Sequence, residues 1–185
     1  MSHGTSYATM YATTATTADI NGVSGKSTFE DHLTEIEFGD EVNKIGNYAY
    51  KNCINLISIN IPAGPTGFII GNNAFEGSGL SGILTIPNNV TRVDSSAFKG
   101  CTGITGITGM AGLTGIADSV FEGCSGLSKF TIPSNIQWVG NGAFRGAGLT
   151  GINIPSTVKT IGPSGFANCT NMITATINNG VEEIG

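Results

Sequence analysis

Apolar residues recur along most of this chain one at a time, at long and nearly constant intervals, instead of in continuous runs. Tyr50, Phe75, Phe98, Phe121, Phe144 and Phe166 follow one another at steps of 25, 23, 23, 23 and 22 residues, and their neighbours keep fixed offsets. Three residues after each ring stand Cys53, Ser78, Cys101, Cys124, Ala147 and Cys169. Then come Leu56, Leu80, Ile104, Leu127, Leu149 and Met172, and after them pairs two apart such as Ile59 and Ile61, Leu84 and Ile86, Phe130 and Ile132, Ile152 and Ile154. Proline follows at Pro62, Pro87, Pro133 and Pro155, and a second apolar pair closes the unit, as in Val90 and Val93 or Ile136 and Val139. Self-similarity at this period predicts a solenoid, in which each coil buries one edge against its neighbours.

The unit reads L-x-x-I-x-I-P-x-x-V-x-x-I-G-x-x-A-F-x-x-C. Its x-I-x-I part alternates with period two, as a strand does, and proline ends it because proline cannot donate to a ladder. Gly46, Gly71, Gly140 and Gly162 fall where the chain is expected to turn sharply. The A-F-x-x-C run has room for one helical turn. A stretch such as "SSAFKGCTGITGITG", rich in glycine yet regular in apolar residues, is what such a coil requires.

These landmarks resemble the BspA-like, or Treponema pallidum type, leucine-rich repeat. The resemblance covers roughly residues 33 to 185, from a partial unit "LTEIEFGDEVNKIG" onward. Departures are local: two extra residues around "GPTGF", Ser78 and Ala147 in place of cysteine, and Gly109 with Met110 in place of the I-P step. The expected fold is a strand-dominated leucine-rich repeat solenoid, an α/β-type right-handed superhelix with short helical turns. About six to seven coils span 29–185, behind a polar Thr/Ala-rich arm at 1–28. The resemblance implies surface-displayed adhesion or recognition proteins of bacteria, parasitic protists and some large viruses, without catalysis.

Charge alters this picture in one respect. Only 11% of residues are charged, and the net charge of −5 is uneven. Residues 1 to 41 hold seven acids and one lysine, while 42 to 185 hold six acids and seven bases. A nearly neutral repeat body offers no footprint for phosphate backbones, which argues against nucleic acid. No stretch approaches the ~20 apolar residues of a membrane span. The start, "MSHGTSYATMYATTATTADING", lacks the basic and apolar regions of a secretory signal.

Candidate chemistry is thin. "GVSGKST" at residues 22 to 28 ends like a phosphate-binding loop, but Ile20 stands where that loop needs its first glycine. Asp19, Asn21 and Glu30 have calcium-loop offsets, but Val23 and Ser24 occupy positions that want an oxygen ligand and a glycine. The four cysteines share one coil position, so they are read as an interior column of reduced, apolar fillers. A single-file column does not converge on zinc. His3 and His32 both precede the repeats, so no serine or cysteine of the body has a histidine base. Glu35 and Glu37 form an acid pair on one strand face, more simply read with Asp40 and Glu41 as charges protecting the first coil from edge pairing. No metal, cofactor or catalytic residue is assigned.

Binding is expected on the outward x positions of x-I-x-I. One column holds Glu37, Asn60, Thr85, Thr108, Thr131, Asn153 and Thr176, and the column beside it Glu35, Ser58, Ile83, Gly106, Lys129, Gly151 and Thr174. The first is a ladder of short hydrogen-bonding side chains suited to a protein or glycan ligand, although threonine also has high strand propensity. Trp138 and Arg92 should project from the flank after the strand, and Phe68 is expected to be exposed in the two-residue insertion. Asn89 and Asn168 head N-glycosylation sequons, Asn168 being the weaker because its unit is partly buried. The amino end carries capping-box spacing at Ser27 and Glu30. The carboxyl end has no evident cap, so either the chain is a fragment of a longer protein or something else covers that edge, which opens the alternative of a homo-oligomer, virion component or filament assembled by end-to-end stacking with the arm.

Overall fold

In the computed structural model, which describes residues 33–64 and 66–185, the six rings form one continuous stack. Tyr50–Phe75, Phe75–Phe98, Phe98–Phe121, Phe121–Phe144 and Phe144–Phe166 have centroid separations of 5.3, 5.4, 5.9, 5.6 and 5.2 Å. Stacked aromatic pairs add about 0.5–1.5 kcal/mol each beyond their area burial. The residues between the rings therefore belong to coils piled one on the next. The arm, both histidines, the "GVSGKST" stretch, the calcium-like offsets and the capping box lie outside the described residues.

The described residues contain thirteen short strands. In chain order they are β1 (Glu35–Glu37), β2 (Lys44–Ile45), β3 (Ser58–Asn60), β4 (Phe68–Ile70), β5 (Ser81–Ile86), β6 (Val90–Val93) and β7 (Gly103–Gly109). There follow β8 (Gly115–Ile116), β9 (Trp138–Val139), β10 (Gly151–Ile154), β11 (Thr160–Ile161), β12 (Thr174–Ile177) and β13 (Glu183–Ile184). Every pairing is parallel, as stacked coils demand. The x-I-x-I segments give β1–β3, β5–β7 and β10–β12. The segments after the proline, expected to be mere flank, form a second face, β2–β4–β6 and β8–β9–β11–β13. The solenoid thus has two sheet faces where one was expected.

The A-F-x-x-C segment is not helical: among the described residues there is no helix. Two residues before and two after each ring the backbone is left-handed, at Tyr48 and Asn52, Asn73 and Gly77, Ser96 and Gly100, Ser119 and Gly123, Gly142 and Gly146, Ser164 and Asn168. Only Gly, Asn and a few polar residues visit that region readily, and a helix cannot pass through it. The alternation turns every second amide toward the next coil. Asn73, Phe75 and Gly77 N–H donate to the carbonyls of Ser95, Ala97 and Lys99 at 3.1, 2.8 and 2.7 Å, and later coils repeat this. The turn is a third ladder.

Two other expectations change, and one local departure finds its reason. Gly71, Gly140 and Gly162 do not have positive φ. They are glycines because the preceding coil sits against them: a Cβ there would lie 2.6, 2.5 and 2.6 Å from Oδ1 of Asn47, Asp118 and Asn141. Two of those oxygens accept the next coil's amide, Asn72 N–H to Asn47 at 2.9 Å and Asn141 N–H to Asp118 at 2.7 Å. Phe68 is not exposed but 1% accessible, because the pairing slips between Phe68 and Ile69 and sets Phe68 beside Val90 in the core. Where Gly109 and Met110 replace the I-P step, both are left-handed, and the Met110 amide that a proline would lack donates to Ile86 at 2.9 Å.

None of the four cysteines lies in a disulfide; three are buried, and Cys169 is half-buried. The interior column is held by more than packing. Cys101, Cys124 and Cys169 donate to the carbonyls of Phe75, Phe98 and Phe144 at 3.1, 3.2 and 3.1 Å, each reaching back one coil. Ser78, standing in for cysteine, lies 3.3 Å from Cys101. Burial pushes the Cys101 thiol up to about 11. Burial also pushes Cys124 strongly up, with Cys101 beside it contributing. Thiolates are thereby suppressed, and these groups are structural rather than reactive.

Candidate recognition surfaces

The x positions of the first face are exposed where expected: Asn60, Thr85, Thr108, Thr131, Asn153 and Thr176 all face outward. Register brings them together in pairs. Glu37 stands opposite Asn60, Thr85 opposite Thr108 and Asn153 opposite Thr176. The Thr85 and Thr108 hydroxyls lie 3.2 Å apart, within hydrogen-bond distance along the column. Thr131 is exposed between the buried Phe130 and Ile132, on a segment without regular strand pairing. In the neighbouring column glycine and large residues alternate: Ile83 stands opposite Gly106, and Thr174 opposite Gly151. Ile83 is 67% exposed, so this face is shallow and mixed in polarity.

Trp138 and Arg92 lie on the second face, in one column six residues before successive rings: Ile69, Arg92, Gly115, Trp138, Thr160. Strand pairing sets Trp138 between Gly115 and Thr160. Trp138 is 41% exposed. Its indole lies across Gly115, where an added Cβ would fall inside the ring system, nearest Cε2, Nε1 and Cδ2. Arg92 projects as expected, but its guanidinium is engaged by Asp94, Nε to Oδ1 at 2.9 Å and a terminal nitrogen to Oδ2 at 3.3 Å. Phe68, third of the predicted anchors, is core and takes no part.

One surface feature escaped the pattern search. Directly after the rings stand Lys51, Glu76, Lys99, Glu122 and Arg145, a column of alternating charge. Lys51 pairs with Glu76 at 2.8 Å and Lys99 with Glu122 at 3.2 Å. Burial pushes the Glu76 carboxyl up, but hydrogen bonds from Lys51 and Asn73 and the Lys51 and Lys99 charges outweigh it and hold it below its usual range. Glu122 is likewise lowered: burial raises it, and Ser119, Lys99 and Arg145 outweigh that. The signal was available as alternation at a fixed offset, though aromatic alignment directs attention to apolar positions.

The sequon order also reverses. Asn89 is half-buried and its amide donates to the Pro62 carbonyl at 3.0 Å, bridging two coils. Asn168 is exposed on a left-handed turn. Glu35 and Glu37 are both exposed on β1. Among the described residues no cluster of His, Cys, Asp and Glu could hold a metal ion, and no helix is long and apolar enough to cross a membrane. Beyond Phe166 an open apolar recess of about 290 Å³ is lined by Phe166, Met172, Ile177 and Ile184 among others.

Parallel coils joined by two strand ladders and a turn ladder, with a single-file aromatic and thiol interior, define a leucine-rich repeat solenoid. The chain belongs to the family described as the BspA type Leucine rich repeat region, six copies of which match over residues 24–147 and 68–185. Among solved structures it resembles the T. pallidum Leucine Rich Repeat protein, with a TM-score of 0.74 and 23% identity over 83% of this chain and 73% of that one. It also resembles the Pneumococcal vaccine antigen PcpA, with a TM-score of 0.57 and 17% identity over 80% of this chain and 40% of that one. A leucine rich cell surface protein from Faecalibacterium prausnitzii A2-165 matches with a TM-score of 0.51 and 20% identity over 80% of this chain and 60% of that one. No curated protein sequence matches significantly. At these identities the likeness concerns the fold.

Proposed function

We propose that this chain is a non-catalytic recognition module of a cell-surface or virion-surface protein, binding a protein or glycan ligand through the outward residues of its first face. The observation that carries the reading is the exposed polar column Asn60, Thr85, Thr108, Thr131, Asn153 and Thr176, repeated at coil spacing. Many weak, equivalent contacts along such a column sum by avidity. The geometry favours a long flat partner, which engages more rungs than a small one, and adhesion is the role that suits it. Family membership and the description of one structural relative as a cell surface protein support the placement.

The test is binding of the chain to an array of immobilised polysaccharides and surface proteins, with a Thr108→Lys/Thr131→Lys double variant beside it. A ligand whose binding falls at least about tenfold in the variant supports the reading, that loss being about 1.4 kcal/mol. Binding that is indifferent to both lysines sinks it.

A further inference from the structure

The second face carries a feature that the polar column of the first does not explain. Trp138 is the chain's single tryptophan, and it lies outside the core: beneath it the interior is already closed by Ile116 and Val139, each 2% accessible. The other coils of its column carry Lys44, Ile69, Arg92, Thr160 and Glu183, whereas the coil in front carries Gly115. That gap lets the indole lie down across the sheet instead of standing on edge, since any Cβ at Gly115 would occupy the ring. A ring laid this way presents a broad π-face to solvent.

Its surroundings are polar and electrically balanced. Thr114 and Gln137 are exposed one residue earlier on the same two coils, with Lys159 next in that row, the Gln137 amide donating to Thr114 and the Lys159 amide to Gln137. Arg92 is neutralised by Asp94, and Lys159 by Glu182 at 3.3 Å, with the Gly180 carbonyl as a second partner at 3.2 Å. An anion gains little from cations already paired. A stable protein interface covers about 800 Å² on each partner around several anchors, whereas here one ring is edged by threonine, glutamine and ion pairs. A flat apolar ring edged by neutral donors and acceptors matches a pyranose, whose C–H face is apolar and whose hydroxyls point outward around it.

We infer that the surface formed by Trp138 lying on Gly115, rimmed by Thr114, Gln137 and Thr160, is a binding site for a neutral hexose residue of an oligosaccharide. It is separate from the first-face column and shallow, so a single rung is weak and chain length in the ligand adds affinity through repeated rebinding.

The lone tryptophan makes the test direct. Intrinsic emission of the full chain is titrated with cellohexaose, chitohexaose, maltohexaose and mannohexaose, and separately with a sulfated heparin hexasaccharide. The expected result is a saturable change in Trp138 emission with at least one neutral hexasaccharide, unaltered in 0.5 M salt, as an uncharged ligand requires. The same binding, followed by calorimetry, should fall at least about tenfold in Trp138→Ala and in Gly115→Val, which evicts the ring from its seat, and persist in Thr108→Lys/Thr131→Lys. Circular dichroism confirms that each variant is folded, and Trp138→Phe, which keeps a ring, should retain part of the affinity. The inference is overturned if no neutral saccharide gives saturation, if only the sulfated probe binds and salt removes it, or if emission responds to protein concentration alone, which would place a second copy on the ring. Loss of binding in the threonine double variant but not in Trp138→Ala would likewise overturn it, while leaving the first-face reading intact.

Discussion

The Cys101 thiol donates to the carbonyl of Phe75 at 3.1 Å, one full coil back. The same link recurs from Cys124 to Phe98 and from Cys169 to Phe144, so each of these three thiols fastens its coil to the ring-bearing turn of its predecessor. Cysteine suits this role because it is small and apolar in bulk yet carries a weak donor.

Alkaline stability should report these thiols. A thiol raised by burial stays protonated in the folded chain while the unfolded chain ionises it, so its contribution is complete below the unfolded value and is lost as pH rises through the folded value. For Cys101 that window runs from the ordinary thiol value of 9.0 to about 11, with the Tyr50 phenol, pushed up from 10.0 to about 12 chiefly by burial, extending it. Urea midpoints measured from pH 8 to 11 should fall, and less steeply in Cys101→Ala; equal slopes would contradict the argument. Thiol-reactive dyes should label half-buried Cys169 first and the other three only on unfolding.

Acid should loosen the turn face. Glu76 and Glu122 are held below 4.5 in the folded chain, so their contribution is present above the unfolded value and is lost as pH falls through the folded one. The midpoint is expected to drop below about pH 4.5, and Glu76→Gln/Glu122→Gln should flatten that drop while lowering stability at pH 7. An unchanged acid limb would remove the charge ladder from the account.

Truncating one ring should be felt along the stack. Phe98 is fully buried between Phe75 and Phe121, at 5.4 and 5.9 Å. Phe98→Ala should cost about 3–5 kcal/mol, read by denaturant unfolding, whereas Phe98→Leu, which refills much of the space, should cost less.

Gly140 should reject even a methyl group. A Cβ there would meet Asp118 Oδ1 at 2.5 Å and the Asp118 backbone nitrogen at 2.7 Å. Gly140→Ala is expected to destabilise by about 1–3 kcal/mol. Adding Asp118→Ala should not rescue it, because backbone as well as side chain stands in the way. Full rescue would show that only the carboxylate was responsible.

Much of this architecture was legible along the chain. Aromatic spacing located every coil, and the shared offset of Cys53, Cys101, Cys124 and Cys169 placed the thiols in one column. The outward positions of Thr85 and Thr108 followed from period-two alternation, which is local and survives any long-range arrangement, and that of Trp138 from its place between the apolar Ile136 and Val139. What was misread depended on a neighbour about 23 residues away. Gly71 looked like a turn residue but makes room for Asn47, and Phe68 looked like an exposed insertion until the slip beside Ile69 turned it inward. The A-F-x-x-C run has helix-compatible length, yet left-handed residues on either side of each ring send its amides to the next coil.

The sequence by itself therefore determined the repeat, its register and the interior occupant of each coil, since burial in a stack selects apolar residues at a fixed period. Tertiary structure decided what one coil does to the next: that the post-proline segment is a second sheet, that Trp138 lies down on Gly115, and that Lys51, Glu76, Lys99 and Glu122 pair across coils. The physical reason is that such contacts depend on two residues a whole coil apart meeting within a few ångströms, and no local pattern encodes that distance.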